Sequence, residues 1–360
     1  MPHWIIQPWQ RSLSKTASGK PGAVQPAMFL ITTKGEKTTM RLGQPYPTRP
    51  TTRLRTLIRE AAPLIIPGCF NAMSARVLEQ AGFEAVYMSG YGSSLSVTGL
   101  PDAGLMTLTE MSENARRIAA AVSVPVIADA DTGFGNAINV VRTVEEYCRA
   151  GVAGMHLEDQ VAPKRCGHVA GREVLAREEA VLKIRAAAKT RDAMEPDFVL
   201  IARTDSRGAH GGSLDEAIWR ANAFLDAGAD LAFVEGPKDI AEVERICHEV
   251  KGPVFYNMTG ISPRMDRETM ARLGIKITIL PGAIMRAALL AMHDLASALR
   301  EKGPMVETEL DARAKGHPLG NTHVFAGFDR IRAMEESFLP AETAKKYDGT
   351  LGHMPRAAAE

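Results

Sequence analysis

The sequence predicts an α/β protein, a (β/α)8 TIM-type barrel with appended C-terminal helices. Three observations carry this: eight short apolar runs, eight amphipathic segments alternating with them, and a recurring glycine junction between the two. The runs are 64–67, 85–89, 124–129, 154–158, 198–203, 231–235, 254–257 and 275–280. Each is apolar nearly throughout rather than alternating, as strands buried on both faces of a helix-covered parallel sheet are. Between and after them, segments 74–81, 108–121, 140–150, 177–188, 214–227, 241–250, 264–273 and 283–300 place apolar residues at three- and four-residue spacing, the period of a helix. Four helix-to-strand junctions repeat one pattern: Gln80-Ala81-Gly82-Phe83, Arg149-Ala150-Gly151-Val152, Asp226-Ala227-Gly228-Ala229 and Arg272-Leu273-Gly274-Ile275. A glycine there ends the helix in the left-handed conformation without a Cβ penalty. A doubly wound open sheet is the competing architecture, but Ser89-Gly90-Tyr91-Gly92 lacks the third glycine of a dinucleotide fingerprint.

Three regions follow. Residues 1–52 are rich in Pro, Thr, Lys and Arg with Glu36 as their only acid, and are expected to form a disordered or dispensable extension. An acid-poor, basic start also suits a transit peptide, but prolines 2, 8, 21 and 26 interrupt any long amphipathic helix. A dispensable tail, or an over-long start with Met40 as the true initiator, is the expected reading, and a chain beginning at Met40 is expected to fold and turn over like the full chain. Residues 53–302 form the barrel, and 303–360 hold appended helices at 305–315 and 325–339 with a polar tail.

At 360 residues and a net charge of +1, with no basic stripe in the folded part, the chain points to small-molecule chemistry and away from nucleic acid or an anionic membrane. Cys69, Cys148, Cys166 and Cys247 lie far apart, which argues against a disulfide framework and for a reducing, cytoplasmic setting. No apolar run approaches the length of a bilayer span.

Functional groups gather where the expected strands end, the ligand-facing side of a barrel. Asp129-Ala130-Asp131-Thr132-Gly133 follows the third run, and two carboxylates two residues apart on a strand aim at one point. Their repulsion calls for a counter-charge, and with Asp102 and Glu158 they suit a hard cation such as Mg²⁺, with Mn²⁺ as a substitute. A helix-capping role for these aspartates is the plain alternative. The stretch from His156 to His168 packs acids, basic groups and the lone thiol of Cys166 directly after the fourth run. Its basic neighbours Lys164, Arg165 and His168 favour thiolate. Arg203 has the bidentate fork that suits a carboxylate.

Lys164-Arg165-Cys166-Gly167-His168, supported by Tyr87-Met88-Ser89-Gly90, Leu100-Pro101-Asp102, Asp129-Ala130-Asp131-Thr132-Gly133, Glu158-Asp159-Gln160, Ala202-Arg203-Thr204-Asp205, Glu235 and Asn257, resembles the isocitrate lyase / phosphoenolpyruvate mutase superfamily. The nearest resemblance is to its small lyase branch, over about residues 53–300. That resemblance implies Mg²⁺ held by Asp129, Asp131, Asp102 and Glu158. It implies Cys166 as the acid, and Arg203 with Ser89, Gly90 and Tyr91 at the α-oxo carboxylate end of the substrate. Asn257, Glu235 and Arg286 would address the other end, with Gly167 and His168 closing over the site. Tyr87 is the candidate base for the substrate hydroxyl.

The implied reaction is cleavage of a 2-hydroxy alkyl-substituted dicarboxylate or tricarboxylate, of methylisocitrate or 2,3-dimethylmalate type, to an α-oxo acid and a second acid. Tyr91 in place of a third glycine, and a short loop after Asn257, count against methylisocitrate itself. Oxaloacetate decarboxylase or hydrolase and carboxyphosphonoenolpyruvate phosphonomutase are the alternatives. The resemblance also implies a homotetramer in which C-terminal helices pack on a neighbouring subunit.

Overall fold

The computed structural model describes residues 48–60, 63–347 and 349–355, so the expectation for residues 1–47 lies outside the described residues. The barrel is built from β1 (Leu64–Cys69), α2 (Ala72–Gln80), β2 (Val86–Met88), α3 (Gly90–Thr98), α4 (Leu108–Ala121), β3 (Val126–Asp129), α5 (Ala137–Ala150), β4 (Gly154–Glu158), α6 (Arg177–Met194), β5 (Val199–Thr204), α7 (Leu214–Asp226), β6 (Leu231–Val234), α8 (Ile240–Glu249), β7 (Val254–Asn257), α9 (Arg267–Arg272), β8 (Ile275–Leu280) and α10 (Ala283–Lys302). It is preceded by α1 (Pro50–Arg59). The strands close in the order β1 to β8, every pair parallel, with β8 returning to β1. The expected glycine junctions are present: Gly82, Gly151, Gly228 and Gly274 have φ of 91°, 82°, 110° and 74°.

Alternation along each strand sorts the side chains. Val126 and Ala128, Met155 and Leu157, and Leu200 and Ala202 face outward into the large cluster under the helices. Tyr87, Ile127, Val199, Ile201, Phe233, Phe255 and Ile277 point inward and fill the barrel. Leu54 and Leu57 of α1 belong to that inner cluster and are 0% and 2% exposed, so α1 plugs the end of the barrel opposite the functional groups. This helix starts inside the stretch expected to be dispensable; Pro50 sits in its first turn, where a missing N–H costs nothing. Leu54→Ala is expected to cost about 3 kcal/mol of stability, the usual range for a fully buried leucine, read from denaturant unfolding.

Past the barrel run α11 (Val306–Ala314), α12 (Thr322–Ala326), α13 (Phe328–Phe338) and α14 (Ala341–Ala344). The single helix expected over 325–339 is two, because Gly327 at φ 100° ends α12. No residue of α10 is buried, and it exposes Leu289, Leu290 and Met292.

Candidate active site

The inward parity of the strands, carried to their C-terminal ends, puts Tyr87, Asp129, His156, Glu158, Arg203, Glu235 and Asn257 round one mouth. Register fixes neighbours: Asp129 pairs with His156 across β3–β4, and Glu158 with Arg203 across β4–β5. Arg203 is the hub. Its Nε and Nη2 donate to Asp205 at 2.8 and 3.0 Å, Nη1 lies 3.3 Å from Glu158, Nη2 lies 3.5 Å from Glu235, and the Phe233 ring lies beneath. Asn257 donates to Glu235 at 3.0 Å. Glu158 Oε1, Glu235 Oε1 and Asn257 Oδ1 are buried and accept no hydrogen bond from the described residues, so this mouth has acceptors left over for a ligand. Burial pushes the Glu158 carboxyl well above its ordinary range, against the pull of Arg203 and Lys164.

Strand β3 ends at Asp129, so the two aspartates are not brought together by strand alternation as expected. Asp131 lies in the following turn with φ 46°, a left-handed conformation uncommon outside glycine. That turn is held from outside: Tyr147 donates to the Asp129 carbonyl at 2.6 Å, and buried Lys183 to the Thr132 carbonyl at 2.6 Å. Neither aspartate caps α5; Asn136 does. Asp129 accepts from the N–H of Gly90 at 3.1 Å and of Asp131 at 2.9 Å. Lys164 supplies the counter-charge, with Nζ 2.5 Å from Asp102 and 2.7 Å from Asp131. Burial pushes Asp131 up to about 6, with Lys164 pulling it back and Asp129 and Asp102 adding to the rise. Burial also acts on Asp129, but His156, Lys164 and Arg203 outweigh it and hold that carboxyl well below the usual range.

The segment after β4 leaves and returns as a closed loop: Val161 N–H donates to Glu173 O and Leu175 N–H to Asp159 O, both at 2.9 Å. Gln160 clips its outgoing leg, donating to the Arg165 carbonyl and accepting from the Arg165 N–H. Cys166 N–H reaches the Asp102 carbonyl at 3.2 Å. Gly167 is required here, since a Cβ would lie 2.3 Å from Arg203 Nη2 and 2.7 Å from Glu235 Cγ. His168 faces Glu235 at 3.5 Å and Asn257 at 3.4 Å. The expected thiolate is not favoured. Lys164 is spent on the aspartates and Arg165 turns to the Ala170 carbonyl, so burial dominates and raises the thiol.

Residues 54–300 match the family described as phosphoenolpyruvate phosphomutase. The chain belongs to this family. It is 48% identical to 2,3-dimethylmalate lyase of Eubacterium barkeri over 79% of this chain and 97% of that protein. Among solved structures, oxaloacetate acetylhydrolase in complex with 3,3-difluorooxalacetate superposes with a TM-score of 0.73 at 34% identity, covering 80% of this chain and 97% of that one. Phosphonopyruvate hydrolase in complex with oxalate and Mg²⁺ superposes with a TM-score of 0.72 at 31% identity, covering 81% and 100%.

Within this phosphomutase-family barrel, most residues singled out from sequence converge, with qualifications. Tyr87 donates towards Asp129 at 3.4 Å and lies 2.7 Å from His156 Nε2; burial first, then Asp129, pushes its hydroxyl well above 10, so no standing phenolate is present near neutral pH. Ser89 caps α3 by accepting from Gly92 N–H, and Gly90 lies against Asp129, where a Cβ would come within 2.3 Å of a carboxylate oxygen. Tyr91 is exposed at the rim, and Arg286 is exposed on α10 with no ion pair to the cluster among the described residues. His156, Lys164, Asp205 and Arg172 were not singled out as site residues, although the strand period places His156 beside Glu158 on the inward face.

Among the described residues no three acids, histidines or cysteines converge closely enough to hold a metal alone. Mg²⁺ does not require this, since it keeps several waters and takes one or two carboxylates directly. The all-oxygen donors, the unpartnered Glu158 Oε1 and the upward push on Asp131 and Glu158 fit a hard cation here. None of the described helices is long and apolar enough to cross a membrane.

Proposed function

We propose that the chain is a carbon–carbon lyase that cleaves a 2-hydroxy alkyl-substituted dicarboxylate of the 2,3-dimethylmalate type into an α-oxo acid such as pyruvate and a second carboxylic acid. The observation that carries this is a Cys166 thiol pushed up by burial, on a loop docked through Gly167 against Arg203 and Glu235, at the mouth that Asp129 of β3 and Glu158 of β4 also line. Arg203 binds the substrate carboxylate at the oxo-acid end. Tyr87 takes the proton of the substrate hydroxyl as its own phenolic proton passes to His156 Nε2, 2.7 Å away. The oxygen's electron pair forms the new carbonyl as the C2–C3 bond breaks, and the pair from that bond passes to C3 and its carboxylate. Cys166 delivers a proton to C3. Bound near Asp129, Asp131, Asp102 and Glu158, Mg²⁺ supplies Lewis-acid stabilisation of oxyanion charge. His168, Asn257 and Glu235 address the second carboxylate.

Appearance of pyruvate from 2,3-dimethylmalate in a coupled reductase assay with Mg²⁺ tests the reading; no pyruvate from any alkylmalate overturns it. The metal reading has its own test, by calorimetry. Asp131 must be ionised to face a cation, so Mg²⁺ affinity is present above about pH 6 and lost as pH falls through it. Roughly tenfold weaker binding is expected at pH 5 than at pH 7.5, and equal binding would contradict the assignment. A homo-oligomer that covers Leu289, Leu290 and Met292 of α10 completes this reading.

A further inference from the structure

We propose that Arg172 is a positioning residue: through the Asp205 carboxylate it sets the Arg203 guanidinium and the Cys166 loop in register with each other. Asp205 is fully buried and shared by two guanidinium groups. Its Oδ1 accepts from Arg203 Nη2 at 3.0 Å and from Arg172 Nη1 at 3.0 Å, while its Oδ2 accepts from Arg203 Nε at 2.8 Å. The carboxylate cannot drift with either partner, because its own N–H donates to Asp159 Oδ1 at 2.9 Å, and Asp159 is pinned by Thr204 and Arg220. Arg203 therefore takes its orientation from Asp205.

Arg172 contributes charge as well as geometry. Arg203 faces three carboxylates, those of Asp205, Glu158 and Glu235. With Arg172 compensating Asp205, part of the Arg203 charge is left for an incoming carboxylate; without it, Arg203 is more fully neutralised by its own neighbours.

The other end of the coupling is the loop. Arg172 lies on its return leg, beside Glu173, which closes the base by accepting from Val161 N–H. The Arg172 carbonyl accepts from His210 N–H at 3.1 Å, tying that leg to the turn after β5. Gly208 in that turn gives the guanidinium its space: a Cβ there would lie 2.0 Å from Arg172 Nη2, and Gly208 is not among the positive-φ glycines. Gly208→Ala thus displaces the Arg172 side chain without backbone strain.

The inference rests on the lyase reading only for its kinetic half, so the test has two readouts. Peptide-resolved alkylation of Cys166 by iodoacetamide needs no substrate. In Arg172→Met it is expected to run about tenfold faster, with KM for the dicarboxylate about tenfold higher, while Arg172→Lys stays within about threefold of wild type on both. Gly208→Ala is expected to reproduce Arg172→Met, and the double variant to be no worse than Arg172→Met alone, since both act through one side chain. Unchanged alkylation and KM in Arg172→Met and Gly208→Ala, or full addition of the two effects, would overturn the proposal. If Arg172→Met does not fold, Gly208→Ala against Arg172→Lys decides it. If wild type shows no lyase turnover, the functional reading fails and the alkylation series still decides the coupling.

Discussion

Cys166→Ala is expected to lower kcat by roughly two to four orders of magnitude, the usual worth of a general acid, while analogue binding and Tm barely move. The thiol's hydrogen bond is to the His168 backbone, within the same loop, and the loop is held independently by backbone and by Gln160, Lys164 and Arg172. Removing the sulfur therefore leaves the loop in place. Cys166→Ser is expected to be nearly as poor, because a hydroxyl is a far weaker acid. A cysteine kept for packing would behave in the opposite way, with Ala costing stability and activity falling only with the folded fraction. C–C cleavage within about threefold of wild type in the Ala variant would make the assignment wrong, and retained oxaloacetate decarboxylation in that variant would favour the decarboxylase reading.

Removal of divalent metal with EDTA is expected to reduce turnover by at least about a thousandfold, with full recovery on adding Mg²⁺ or Mn²⁺. The electrostatics give the reason. The side chains of Asp102, Asp129, Asp131 and Glu158 are held largely out of water, and Lys164 reaches Asp102 and Asp131. Burial pushing Asp131 and Glu158 upward marks a site with more carboxylates than resident positive charge can compensate. Activity unchanged after exhaustive chelation would remove the metal role from all four acids.

The barrel was legible because its strands are apolar on both faces and its helix ends repeat a glycine. The groups Asp129, Glu158, Arg203, Glu235 and Asn257 were legible because each stands at or just past the C-terminal end of an apolar run, the ligand-facing side of a barrel. What sequence did not expose were long-range contacts. Lys164 read as one more basic neighbour of the thiol, yet it crosses to Asp102 and Asp131, a contact set by how the loop folds back. Asp131 was expected to share a strand face with Asp129 and instead sits in a left-handed turn supported by Lys183 and Tyr147 from two helices. Helix α1 was hidden because nothing local distinguishes a plug from a tail; Leu54 and Leu57 acquire their meaning only against the barrel interior. Helix α3 was missed because serines and glycines dominate it, although Ser89 is a recognisable cap.

The reaction class is decided by a head-to-head comparison of substrates. Purified protein with Mg²⁺ is given 2,3-dimethylmalate, methylisocitrate, oxaloacetate and a phosphonate precursor separately, with products identified by mass spectrometry and kcat/KM compared. Pyruvate and propionate are expected in equal amounts from 2,3-dimethylmalate, with a kcat/KM at least about tenfold above that for oxaloacetate. Cleavage of oxaloacetate alone, or a carbon–phosphorus product, would contradict the lyase reading.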